Sequence, residues 1–137
     1  NHIAASGGIK QAIENANAYL AQQRLQQSVK IEIEASSLEE VQQVIEYGAH
    51  GKVHRVMLDN MVKVDAVKKQ SVDTSMLAEA LKLIDGRFET EASGNITLQS
   101  VQEVAKTNVD FVSCGAITHS VIALDISLKF KSQKTSN

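Results

Sequence analysis

Phe88-Glu89-Thr90-Glu91-Ala92-Ser93-Gly94-Asn95-Ile96-Thr97 is the stretch whose reading decides the fold. Its first half alternates apolar and polar residues, as a half-buried strand does. It breaks at Ser93-Gly94-Asn95 and restarts as a helix near Thr97. A strand–loop–helix junction of small residues leaves backbone N–H groups free, and the helix dipole adds partial positive charge there. An anion, most simply a phosphate, suits such a place. Ser-Gly-Asn is also a common turn, so this stretch alone supports both readings.

The same grammar recurs on either side. Residues 1–8 read as a small-residue loop. Ile9, Ala12, Ile13, Ala16 and Leu20 then mark an amphipathic helix to about Gln27. Residues 30–35 alternate as a first strand. Ser37 and Glu40 form a capping box for a helix that carries Leu38, Val41, Val44 and Ile45 and stops at Gly48. Residues 54–59 are a second strand. Residues 60–73 are read either as an excursion or as holding a short helix over residues 62–69. Met76, Leu77, Ala80, Leu81 and Ile84 give a further helix, stopped by Gly86. After the third strand, Leu98, Val101, Val104 and Ala105 mark a helix. Residues 110–114 make a fourth strand closed by Gly115, and a short helix is expected over residues 119–123. Residues 124–130 suit a fifth strand, and residues 131–137 a disordered polar tail.

Alternating strands and helices define an α/β protein with parallel strands. Four such units look like the C-terminal part of an incomplete TIM-like α/β barrel, since eight units need about 250 residues. Residues 1–130 would form this partial barrel domain, and residues 131–137 its tail. A doubly wound open sheet is the rival, but its strands would be continuously apolar. Here charges occupy alternate positions.

The 137 residues suit one domain, and a net charge of −2 gives no reason to expect nucleic-acid binding. No apolar run approaches a membrane span, so a soluble protein with no membrane partner is expected. No signal peptide is visible at the start. The single cysteine, Cys114, cannot form an internal disulfide and suits a reducing compartment. The chain lacks proline and begins at Asn1 without methionine, which a processed protein or a fragment would explain.

Strand parity places Glu32 and Glu34 opposite the helices, together with Met57 and Asp59, with Glu89, Glu91 and Ser93, and with Phe111, Ser113 and Gly115. Glu34 and Asp59 stand at the C-terminal strand ends, where α/β proteins place their chemistry. Converging carboxylates need a metal, a cationic transition state, or Lys and Arg from elsewhere. Arg55 and Lys30 lie at strand beginnings and are expected to offer little compensation. An edge strand facing water is the bland alternative. The histidines lack metal-site spacing. His2 and His54 read as ordinary polar residues, while His119 follows the fourth strand at the same end as Ser93. Cys114 points toward the helices and reads as a core residue.

These residues stand in a recognisable order: Asn1-His2-Ile3-Ala4-Ala5-Ser6-Gly7-Gly8-Ile9, Lys30-Ile31-Glu32-Ile33-Glu34, Met57-Leu58-Asp59-Asn60, Glu91-Ala92-Ser93-Gly94-Asn95-Ile96-Thr97, and Gly115-Ala116-Ile117-Thr118-His119-Ser120 through Leu128. Nearly the whole chain resembles the quinolinate phosphoribosyltransferases, also called carboxylating nicotinate-nucleotide pyrophosphorylases, and looks most like their plant forms. The resemblance implies transfer from phosphoribosyl pyrophosphate to quinolinate, with magnesium. The products are nicotinate mononucleotide, pyrophosphate and carbon dioxide, in NAD biosynthesis. It implies an N-terminal sandwich domain joined to an incomplete barrel, assembled as a homodimer or higher oligomer. A plastid or cytoplasmic location follows if the plant likeness holds.

By position, the resemblance makes Glu34 and Asp59 the acids that hold the ribose hydroxyls and magnesium and stabilise positive charge on the ribose. It makes Ser93, Gly94 and Asn95 the 5′-phosphate loop, and places Gly115 and His119 in a second phosphate loop. Many members carry Gly where this chain has Asn95. The sandwich domain and the upstream Arg, His and Lys that meet the substrate carboxylates are not in this chain. Alone, it is expected to be inactive and to associate through open edges near residues 30–35 and 124–130. The alternatives are a truncated, non-enzymatic subunit-interaction module, or a phosphate-binding barrel enzyme of another reaction class.

Overall fold

The computed structural model describes residues 1–49, 52–64, 72–119 and 123–129. The elements run α1 (His2–Ser6), α2 (Ile9–Gln22), β1 (Glu32–Ala35), α3 (Leu38–Tyr47), β2 (Arg55–Asp59), β3 (Lys63–Val64), β4 (Val72–Asp73), α4 (Ser75–Ile84), β5 (Glu89–Ser93), α5 (Val101–Ala105) and β6 (Phe111–Val112). A 3₁₀ turn over Gly115–Ile117 follows. The main sheet has the order β1-β2-β5-β6, every pair parallel. Each new strand adds on the same side of the last. A doubly wound sheet reverses direction at a switch point, whereas a barrel winds one way. The chain is therefore a partial α/β barrel.

Alternation explains which face is covered. Ile33, Ala35, Val56, Leu58 and Ala92 are buried in one core with Ile9 and Ile13 of α2, Val41 and Val44 of α3, Leu77, Ala80 and Ile84 of α4, and Val104 of α5. Each such aliphatic side chain contributes about 1.5–3 kcal/mol relative to exposure. The start of α3 is fixed as its residues dictate. The Glu40 N–H donates to Ser37 Oγ at 3.2 Å, and the Glu40 carboxylate accepts from the Ser36 N–H at 2.6 Å.

Several expectations are corrected. Residues 1–8 are not a loop throughout: Ala4, Ala5 and Ser6 continue a short helix, which Gly7 ends at φ 92°. The long helix α2 stops at Gln22 rather than near Gln27. Lys63–Val64 and Val72–Asp73 pair antiparallel, so no helix begins at Val62, and residues 65–71 lie outside the described residues. Leu98 is 89% exposed and belongs to no core face. Among residues 123–129 no strand forms, so the far sheet edge is β6 and not residues 124–130. His119 lies in no helix, while residues 120–122 and the tail over residues 131–137 lie outside the described residues.

The largest correction concerns Arg55. It stands in register between Glu32 on β1 and Glu89 on β5, on the face away from the helices. Its guanidinium reaches Glu89 at 2.9 Å, Glu91 at 3.1 Å and Glu32 at 3.9 Å, and lies 3.7 Å from the centre of the Phe111 ring. A long side chain at a strand beginning thus reaches the acids of both neighbours and partly compensates their charge. Burial raises the Glu32 carboxyl above its usual range, and the adjacent Glu91 charge adds to this. Burial pushes Glu91 up as well. The Ser113 hydroxyl that donates to it, together with Arg55, outweighs this and holds Glu91 low.

Glu91 is 7% exposed, so Glu91→Gln should lower stability at pH 7 by about 1–2 kcal/mol. A depressed folded pKa contributes stability above the ordinary value of 4.5, and that stability is lost as the pH falls through the folded value. The gap to the parent should therefore close in acid. Urea unfolding at pH 7 and in the acid range checks this, and an equal gap at both would exclude a charge-dependent role.

Candidate active site

The C-terminal strand ends carry the candidate residues. Asp59 is the last residue of β2 and lies in register with Ser93, the last of β5. Glu34 pairs with Met57, two positions earlier on β2, and shares the face of Asp59. Two parallel strands with that offset put the two α-carbons on the order of 8 Å apart. Among the described residues, no ion pair reaches Glu34 or Asp59. The acidic face therefore divides in two. Its lower part is partly compensated by Arg55, and among the described residues no cation pairs with its upper part.

The loop after β5 turns on left-handed backbone. Gly94 has φ 87° and Asn95 has φ 57°. Gly serves such angles without steric cost, and Asn tolerates them. Asn95 therefore keeps the backbone geometry that glycine would give. Among the described residues, neither the Gly94 nor the Asn95 N–H has a hydrogen-bond acceptor. The expected helix N-terminus at Thr97 is corrected. The Thr97 N–H donates to Ser100 Oγ at 2.9 Å, and α5 begins only at Val101. Any anion here meets the loop itself, not a helix dipole.

The 3₁₀ turn brings the second loop alongside. Ser93, Gly94, Asn95, Gly115 and His119 line one cavity of about 680 Å³. The His119 ring lies over Gly115, where an added Cβ would fall 2.8 Å from Nε2. Glu34 does not line this cavity. It borders a different opening beside His2 and Glu32. Cys114 is half-buried, and its Sγ donates to the Ile96 carbonyl at 3.0 Å, consistent with a packing role. His54 accepts from the Ile31 N–H at 3.3 Å and is structural. His50 lies outside the described residues.

Two residues escaped the sequence reading. Arg55 shares the parity of Met57 and Asp59, which was the available signal. Asn60, directly after Asp59, has φ 57° and donates from Nδ2 to the Asp59 carboxylate at 2.7 Å. An asparagine after a strand-end acid was the only hint.

No group of three or more His, Cys, Asp or Glu able to hold a metal occurs among the described residues. The oxygen donors of Glu34 and Asp59 do fit Mg²⁺, which keeps several waters and binds through one or two carboxylates plus substrate phosphates.

Strand-end carboxylates beside two small-residue loops on a partial barrel define the class: an α/β-barrel protein with a polar site at its C-terminal face. Residues 1–129 match the family described as "Quinolinate phosphoribosyl transferase, C-terminal domain". The chain is 47% identical over 97% of its length to "Quinolinate phosphoribosyltransferase [decarboxylating] 2, mitochondrial" of Nicotiana glauca, covering 37% of that protein. It is 49% identical over the same share to "Nicotinate-nucleotide pyrophosphorylase [carboxylating], chloroplastic" of Arabidopsis thaliana, covering 38%. NadC from Streptococcus pyogenes superposes with a TM-score of 0.69 at 33% identity, over 95% of this chain and 39% of that one. The chain belongs to the quinolinate phosphoribosyl transferase C-terminal domain family. It spans little more than a third of the length of these relatives. No helix among the described residues is long and apolar enough to cross a membrane.

A Cβ on Gly94 would fall 2.3 Å from Asn60 Oδ1. Gly94→Val should therefore displace the loop and weaken phosphate binding, with the core intact. Phosphate titration followed by amide shifts at residues 93–95 checks this. Unchanged binding would reduce Ser93-Gly94-Asn95 to a turn.

Proposed function

We propose that this chain forms the ribose- and phosphate-binding part of a pentosyltransferase that makes nicotinate mononucleotide. The whole enzyme transfers the phosphoribosyl group of phosphoribosyl pyrophosphate to quinolinate, with release of pyrophosphate and carbon dioxide, in NAD biosynthesis. The observation that carries this reading is the strand-end acid Asp59 in register with Ser93 of the loop cavity, with Glu34 on the same sheet face and no ion pair to either acid among the described residues.

The chemistry follows from charge. When pyrophosphate leaves, positive charge develops at the ribose C1. Fixed carboxylates nearby stabilise it, and they accept hydrogen bonds from the ribose hydroxyls. Ser93, Gly94 and Asn95 hold the 5′-phosphate through backbone N–H groups, and Gly115 and His119 close its other side. Magnesium, held by Glu34 and Asp59 with phosphate oxygens, would neutralise the pyrophosphate when bound.

Both substrates are polyanions, and Arg55, the one basic side chain paired on the acidic sheet face among the described residues, is already engaged by three glutamates. The remaining positive charge comes from the part of the enzyme that the longer relatives possess, in a homodimer or higher assembly. The name of the Arabidopsis relative favours a plastid location, whereas the Nicotiana name adds the mitochondrion, which the sequence reading did not include.

In the full-length enzyme, Asp59→Ala should cut turnover roughly 100-fold or more, the scale for one lost transition-state contact. Near-normal turnover would remove Asp59 from the chemistry. The isolated chain should release no carbon dioxide from quinolinate, and co-expression with the N-terminal portion of a plant relative should restore release. Turnover by the chain alone would show that its own residues meet the substrate charge.

A further inference from the structure

Asn60 occupies an unusual place. It follows Asp59 with φ 57°, and its N–H donates to the Ser93 carbonyl at 2.9 Å, which ties the end of β2 to the end of β5. Its side chain works in two directions. Nδ2 donates to the Asp59 carboxylate at 2.7 Å, and Oδ1 accepts from the side-chain Nδ2 of Asn95 at 3.5 Å. A carboxylate only accepts, so the Asn60 amide has one workable orientation, with Oδ1 turned toward the loop. Gly94 packs directly on it: a Cβ at Gly94 would stand 2.3 Å from Oδ1 and 3.0 Å from the Asn60 nitrogen.

We propose that Asn60 is a positioning residue that couples the Asp59 carboxylate to the Ser93-Gly94-Asn95 loop, so that one side chain sets the distance between the ribose-binding acid and the phosphate cradle. The inference rests on the phosphoribosyl-binding reading above and adds a specific coupling to it. Asn60 touches no reacting atom. It restrains the acid rotamer with one end of its amide and the loop with the other. The absence of a side chain at residue 94 is then required by Asn60 as well as by the backbone angle.

The experiment uses the full-length enzyme with phosphoribosyl pyrophosphate and Mg²⁺ as the calorimetric probe. Asn60→Gly keeps the left-handed backbone and removes the amide. It should weaken binding about tenfold, the scale for a hydrogen bond to a charged group. In an Asp59→Ala background the same change should cost less than about twofold, since the coupled partner is gone. Asn60→Asp also tolerates the backbone angle, but it sets a second carboxylate against Asp59. It should bind worse than Asn60→Gly. Equal losses in both backgrounds, or an Asn60→Asp variant that binds like the parent, would make Asn60 a mere turn residue and overturn the coupling.

A second measurement needs no ligand. In ¹⁵N relaxation, the Gly94 and Asn95 amides should lose order in Asn60→Gly, while the core amides keep theirs. Unchanged loop order overturns the proposal. If the parent enzyme binds no phosphoribosyl pyrophosphate, the phosphoribosyl-binding reading fails, and the relaxation data still decide whether Asn60 holds the loop.

Discussion

Arg55 is the residue on which the acidic face of the sheet depends. A parallel register carries side chains of equal parity into rows, and here the rows begin with Glu32, Arg55 and Glu89 across three strands. Without the central cation, three glutamates would crowd one half-buried region, at a cost that grows as water is excluded. The Phe111 ring under the guanidinium adds a contact that a lysine would fill less well. With Arg55 drawn to the lower acids, Glu34 and Asp59 have no ion-pair partner among the described residues and stand at the strand ends.

The upper end is shaped by backbone rather than by burial. Asn60, Gly94 and Asn95 all adopt left-handed angles, within hydrogen-bonding or packing distance of one another. Each is a residue type that accepts such angles at low cost. The result is a close approach of two strand-end turns that larger side chains would prevent. The same turns put a carboxylate and an anion-sized loop side by side, as a sugar phosphate requires.

Among the described residues the sheet has β1 and β6 as its edges. Phe111 and Val112 on β6 are 42% and 37% exposed, and Leu124, Ile126 and Leu128 are more than 80% exposed. Unpaired edges with apolar side chains favour further pairing. The relatives are far longer than this chain, and the proposed reaction needs basic groups that the described residues do not offer. Charge balance and edge satisfaction thus ask for the same additional structure.

The sequence by itself determined the local pattern. Alternation in residues 30–35, 54–59 and 88–93 set the strands and their faces, and Ser37 with Glu40 set the start of α3. The ordered motifs, including those around Asp59 and Ser93-Gly94-Asn95, marked the family. These are short-range properties, fixed by side-chain period and capping chemistry. Only the tertiary structure decided what met what. Arg55 looked too distant because strand position is not reach: register brings neighbouring strands within about 5 Å, and a long side chain crosses that gap. The short α1, the β3–β4 pairing, the late start of α5 and the exposed course of residues 123–129 likewise depended on competing hydrogen bonds and on available packing partners. The clasp through Asn60 was invisible for the same reason, since its partners lie on one neighbouring residue and on a loop 35 positions away.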